Sequence, residues 1–491
     1  MPASAGNRVA VIGAGLSGLA VAARLAAKGK PVHVFEQNAY FGGKATIREQ
    51  GEFLFDTGPS LFTLPAYVDE VFEACGKGPR DYYHYKELKT LCHYFYEDGL
   101  FLKATADKEL FGRELENNTK DKAGSLYGFL AHAAEIHRLT EPVFLRKSLH
   151  VWKNYLSEDT LRGLLGFSKI DAFASMETVI RRYFKDERVI QLFCRYATYN
   201  GSNPYKAPGT LNVIPHLEFG LGAFMPEGGI HAIPKALYAL CRDMGVEFTF
   251  NARVEGIETK GKKVSGIRVN GSFYPADCVV SNADIWPTYR ILMPAEKAPE
   301  KTLAQERSSS AFIFYWGMDK EFPELDVHNI FFSQDYKKEF ASLFDDLAIA
   351  EDPTVYVHIS SKICPEHAPK GGENWFVMVN APQHSGQDWE ELKETLRTRI
   401  LTKLERILNK NLSPHIVNES VLSPADIESQ TSSYRGSLYG TSSNNRFAAF
   451  LRHPNFSTEI KGLYFCGGSV HPGGGIPLVM ASARIVGEMV G

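Results

Sequence analysis

Three short stretches of the chain carry residue types suited to holding a dinucleotide and working on it. Gly13-Ala14-Gly15-Leu16-Ser17-Gly18 follows a short apolar run, residues 8–12, and opens an Ala-rich stretch, residues 17–28, that ends at Gly29. Between a strand and a helix, Gly13 makes the tight turn, Gly15 lets backbone approach a pyrophosphate, and Gly18 brings the helix close to the strand. The helix amino terminus then offers unpaired N–H groups and a partial positive charge to the phosphates. Glu36 closes the next apolar run, residues 31–36, where a carboxylate accepts hydrogen bonds from ribose hydroxyls. NAD and FAD share this pattern, so the residues beyond Glu36 must distinguish them.

Phe41-Gly42-Gly43-Lys44 comes first there, then Phe55-Asp56-Thr57-Gly58-Pro59. The glycine pair and its cation resemble the second flavin motif of the glutathione reductase-like FAD superfamily, which implies FAD, with Gly43, Lys44 and Gly58 beside it. An Arg is more usual where Lys44 stands; the charge is kept and the planar fork lost. In resembling folds the strand after the middle helix passes the adenine, so the backbone at Arg253-Val254 is expected there.

The third stretch runs from Gly462 to Pro477 and enters an apolar helix pattern, residues 478–489. A strand, a glycine-lined turn and a helix start put N–H groups where a flavin ring gains negative charge on reduction. Gly467, Gly468, Pro472 and Ile476 are its expected cofactor contacts. Through Tyr464, Phe465, Gly467, Gly468, Ser469, His471, Pro472, Gly473, Gly475 and Ile476 this stretch resembles the bacterial-type phytoene desaturase family of carotenoid desaturases, which includes carotenoid isomerases. Val470 and Gly474 depart from the family's usual residues. Residues 222–229 and 279–284 extend the resemblance over nearly the whole chain. It implies a C=C bond introduced into an acyclic or monocyclic carotenoid by FAD. The branch it most resembles is the 3,4-desaturases of 1-hydroxylated carotenoid ends.

Such a desaturation needs a long apolar chain held against the flavin with water excluded. The proton is lost beside a conjugated cation, so a modest base suffices. His471, in the flavin turn, is a candidate polar group beside the ring, and a purely structural hydrogen-bonder there would look the same. Glu218 is a candidate base if it faces the channel; as an exposed or helix-capping residue it would do no chemistry. Arg195 and Arg146 read as solvated cations on helices, and Cys466 as a small residue needed for close packing rather than a flavin attachment point. Phytoene-type desaturation, isomerisation without net oxidation, a flavin amine oxidase and a non-catalytic prenyl-lipid carrier remain as alternatives. The electron acceptor is left as oxygen or a quinone.

The elements that must position these residues predict an α/β chain. A glutathione reductase-like Rossmann domain is expected from residues 1–66, 225–285 and 425–491. A mostly helical insert, residues 67–224, and an antiparallel-sheet substrate domain, residues 286–424, complete it, the sheet drawing on runs at 311–318, 329–332, 354–360 and 375–380. Along the first run Phe312, Phe314, Trp316 and Met318 share one face, and Ala311, Ile313 and Tyr315 the other. Either face suits ordinary core or an apolar substrate floor. The 491 residues carry a formal charge of −3 and no long Lys/Arg block, which gives no footprint for nucleic acid. Seven scattered cysteines without a C-x-x-C pair imply neither a disulfide framework nor a metal site and fit a reducing cytoplasm. No apolar run reaches the roughly 18–20 residues of a spanning helix. Peripheral contact with the inner face of a membrane is expected from the substrate, through the helical insert or the aromatic segment 82–96.

Overall fold

The computed structural model describes residues 8–156, 166–445 and 447–490. Five parallel strands make the nucleotide sheet, in the order Glu247–Thr249, Val32–Phe35, Val9–Ile12, Cys278–Ser281, Leu463–Phe465. Parallel strands are covered on both faces, and the period of two divides their side chains between two cores. Val9 and Val11 pack with Leu19, Ala22, Leu237 and Ala483 of the helices Leu16–Ala27, Ala232–Asp243 and Ile476–Met489. Ala10 and Ile12 point the other way, to Ile257 and Ile267 of a small antiparallel sheet, Val254–Lys260, Lys263–Val269 and Ser272–Pro275. Burial of each such Leu, Ile or Val stabilises by about 1.5–3 kcal/mol.

A seven-stranded sheet forms the second layer, in the order Ile416–Leu422, Ser310–Met318, Glu373–Ala381, Val355–His358, His328–Phe331, Thr90–Phe95, Phe101–Thr105. The helix Trp389–Leu408 covers one face: its Leu396, Ile400 and Leu404, spaced by four, meet Phe312, Phe314, Trp316 and Trp375. Asp388 caps this helix, accepting the Glu391 N–H at 3.1 Å.

Two features differ from the sequence reading. The hairpin Thr90–Phe95 and Phe101–Thr105 lies within the stretch expected to be mostly helical, and it joins the sheet by a parallel pairing of residues 93–95 with 329–331. The sheet is therefore mixed, not wholly antiparallel. Of the aromatic segment 82–96, the part in and beside the hairpin is drawn inside with it: Tyr94 and Tyr96 are buried. Their β-branched and aromatic neighbours fit a pleated, covered surface better than a helix, and the helical pattern of the surrounding residues hides this.

Candidate active site

A cavity of about 710 Å³ lies between the two sheets. Its wall contains Gly13, Gly15, Glu36, Gly43, Lys44, Gly58, Val254, Gly467, Gly468, His471, Pro472, Ile476 and Glu218, so every site residue expected from the sequence except Gly18 lines it. Gly18 acts behind the wall, where an added Cβ would fall 2.1 Å from the Gly13 carbonyl oxygen. The wall also takes in Ala311, Ile313, Tyr356, Phe376 and Met378, the face of the seven-stranded sheet turned away from the long helix. Of the two faces of residues 311–318, one is core and the other is cavity floor.

The nucleotide end is built from backbone. The helices Leu16–Ala27 and Ile476–Met489 begin at Gly15 and Gly475 with no side-chain cap, leaving their first N–H groups for a ligand. Glu36 is buried; its Oε2 accepts the Ala14 N–H at 2.7 Å and its Oε1 the Asn38 N–H at 2.9 Å, which fixes the carboxylate against the glycine turn. The Ala252 N–H, two residues before Val254, donates to the Glu36 carbonyl at 2.8 Å, bringing the strand that begins at Val254 alongside. At Gly58 a Cβ would stand 2.2 Å from the Lys44 carbonyl oxygen, so only glycine lets these two loops close on each other. Uncapped helix ends and a carboxylate at the strand end suit the phosphates and ribose of FAD.

Lys44 is placed otherwise than its motif suggests. Its Nζ donates to the carbonyls of Ser437 at 3.0 Å and Leu438 at 2.9 Å, pinning the loop over the cavity. Burial depresses its pKa to about 8, against the favourable charge of Asp284. His471 Nε2 sits 3.0 Å from the Lys147 carbonyl, which only accepts, so Nε2 carries the proton and Nδ1 is left bare. Burial holds its pKa down to about 4, so it is a neutral imidazole tying the flavin turn to the insert. The Cys466 thiol is pushed up to about 12 by burial and lies outside the cavity wall, consistent with a packing role.

Glu218 is neither exposed nor a cap. It is buried, and its carboxylate accepts from Tyr196 Oη at 2.6 Å, Tyr199 Oη at 2.6 Å and Arg195 Nη2 at 3.5 Å. Glu218 thus faces the cavity, as its candidacy for a base requires, with its carboxylate already engaged by these three donors. Arg195, read from the sequence as a solvated cation, is buried too; its Nε and Nη2 donate to Tyr94 Oη at 2.9 and 2.6 Å, and its Nη1 to Tyr199 Oη at 2.7 Å. Burial works against the cation, yet the surrounding phenols and Glu218 outweigh it and hold its pKa well above the usual value. Beside this cluster in the wall, His328 Nδ1 meets Tyr356 Oη at 2.7 Å, and Tyr356 donates to Ser60 Oγ at 2.8 Å. Sequence reasoning missed Tyr94, Tyr199, His328 and Tyr356. One local signal was available: Arg195 and Tyr199 stand at i and i+4.

Comparison with known proteins agrees with this geometry. The flavin containing amine oxidoreductase family matches residues 16–488. A 1-hydroxycarotenoid 3,4-desaturase of Flavobacterium sp. is 47% identical over 99% of each chain. A 4,4'-diapolycopene oxygenase of Methylomonas sp. is 33% identical over 99% of this chain and 98% of its own. Among solved structures, an oxidoreductase from Methanosarcina mazei shares the fold, with a TM-score of 0.63 and 18% identity over 98% of this chain and 100% of that one. The chain belongs to the flavin containing amine oxidoreductase family, in its carotenoid desaturase branch, and is an FAD-dependent oxidoreductase.

Proposed function

We propose that this enzyme introduces the 3,4 double bond into the 1-hydroxylated end of an acyclic or monocyclic carotenoid. The observation that carries the reading is the continuity of the cavity: the glycine-built nucleotide end and the apolar floor of Ala311, Ile313, Phe376 and Met378 belong to one space. The likeness to the Flavobacterium enzyme narrows the position of the bond. FAD supplies a two-electron acceptor. The chain's own residues then have three tasks. Gly13, Gly15, Glu36, Gly43, Gly58, Val254, Gly467, Gly468, Pro472 and Ile476 would hold the cofactor, and Lys44 fixes the 437–438 loop at the cavity wall. The sheet face orients the polyene and excludes water. Glu218, charge-paired with Arg195, keeps the Tyr199 hydroxyl oriented at the cavity wall.

Carotenoids dissolve in membranes, so the substrate must be taken from a lipid phase. Among the described residues no helix is long and apolar enough to cross a membrane. Phe173, next in sequence to the cavity-lining residue Ala172, is 66% exposed, and Trp152 is 69% exposed. They fit a peripheral contact with the inner membrane face. Oxygen or a quinone is the expected electron acceptor.

The test is to incubate FAD-loaded protein in vesicles with a 1-hydroxylated carotenoid and, separately, its counterpart lacking the hydroxyl. A product two hydrogens lighter and red-shifted from the first substrate alone is expected. A heavier product, carrying oxygen, would place the enzyme with its oxygenase relatives; an isomer of unchanged mass would make it an isomerase.

A further inference from the structure

Among the described residues, no carboxylate pairs with the buried cation Arg452. It is 2% exposed, and its guanidinium donates only to carbonyls: Nη2 to Thr441 at 3.1 Å, Nη1 to Tyr439 at 3.4 Å and Gly468 at 3.5 Å. Of the other buried cations among the described residues, Arg195 reaches Glu218, Arg307 Asp284, Lys403 Asp352 and Arg484 Glu70, and Lys44, held by carbonyls, has the charge of Asp284 nearby. Arg452 reaches no carboxylate of the described residues within ion-pair distance. Burial, reinforced by Arg307, lowers its pKa to about 10, so it is still charged at neutral pH. An uncompensated buried charge is strongly unfavourable and persists where a ligand completes it.

Its position indicates which ligand. A Cβ at Gly473 would lie 3.1 Å from the Arg452 Cζ, so the guanidinium packs directly against the turn from Gly467 to Gly475, and Arg452 itself lines the cavity. A hydride carries two electrons and one proton. A ring that accepts one therefore gains one negative charge unless a second proton is taken up. The glycine turn and the start of helix Ile476–Met489 present partial positive charges to that region; Arg452 adds a whole one.

We propose that Arg452 is the fixed counter-charge for the FAD ring in its reduced form and so raises the cofactor's readiness to accept electrons. It acts through position and charge, whatever apolar substrate the cavity receives. The neighbouring groups leave that task to it: Arg307 is bound to Asp284, and His471 is held neutral. The FAD pyrophosphate is another source of negative charge, but every partner of Arg452 belongs to residues 439–441 and 468–473, and the Gly13–Gly18 turn supplies none.

The experiment compares FAD-loaded wild type, Arg452→Lys and Arg452→Gln by cofactor occupancy and by midpoint potential against redox dyes under anaerobic conditions. Arg452→Gln is expected to keep FAD while its reduction equilibrium falls about tenfold or more, a midpoint about 30 mV more negative for a two-electron couple. Arg452→Lys should stay near wild type. An unchanged potential in Arg452→Gln overturns the proposal, as does weaker FAD binding without a potential shift, which would assign Arg452 to the pyrophosphate. Should Arg452→Gln not fold, the wild type decides. Uptake of one proton with two electrons across neutral pH supports a charged reduced ring; uptake of two contradicts it.

Discussion

The two ends of the cavity are made on opposite plans. At the nucleotide end the wall is mostly backbone N–H groups and glycines without Cβ atoms, and its residues lie within a few positions of one another, as in Gly13 to Gly18 and Gly467 to Ile476. At the sheet end, side chains from five separate stretches converge: Tyr94, Arg195 with its neighbours Tyr196 and Tyr199, Glu218, His328 and Tyr356. A backbone site depends on local geometry and tolerates little steric change. A side-chain site depends on charge balance and is destabilised by losing one partner.

Three substitutions and one change of pH put this contrast at risk. Glu218→Ala leaves Arg195 buried without its carboxylate, and a loss of about 3–5 kcal/mol in folding stability is expected, read by denaturant unfolding. A loss under about 1 kcal/mol would mean that the tyrosines alone satisfy Arg195. Gly18→Val puts a side chain into the Gly13 carbonyl and is expected to raise the FAD Kd about 100-fold, near 3 kcal/mol. Unchanged FAD titration would detach that glycine from the cofactor. Met378→Trp, on the apolar floor, should retain FAD with a normal flavin spectrum while kcat/KM for the carotenoid drops about tenfold, near 1.4 kcal/mol. If the spectrum changed instead, floor and flavin would not be separable.

The smallest effect near neutrality is on acid stability. His471, His358 and His453 each have a pKa lowered by burial from 6.5 to about 4. The unfolded chain binds these protons more readily than the folded one. Their contribution is therefore complete above about pH 6.5 and is lost as pH falls towards 4. Thermal unfolding measured across that window checks it, and a flat profile would show that these imidazoles charge without cost.

The same contrast explains how much of the molecule is legible in its sequence. The Rossmann glycines, Glu36 and the glycine turn before residue 476 can be read because their function is set by local conformation, and they all reach one cavity or its immediate backing. Lys44 is legible as a cation but not as a loop clamp, since its partners Ser437 and Leu438 lie almost four hundred positions away. Arg195 and Glu218 look like ordinary helix-surface charges, and only the fold brings them together with each other and with Tyr94 of the 90–105 hairpin. The floor is half legible: alternation separates Ala311 and Ile313 from Phe312 and Phe314, but which face a helix covers depends on residues 389–408.

If substrate and flavin meet in this one cavity, electrons pass directly between them. The most direct test is an anaerobic single turnover, in which FAD-loaded protein is mixed with a 1-hydroxylated carotenoid and monitored by flavin absorbance and product mass. One flavin bleached for each product molecule two hydrogens lighter is the result expected. Product formed while the flavin stays oxidised, or formed only when oxygen is admitted and heavier by its mass, would contradict it.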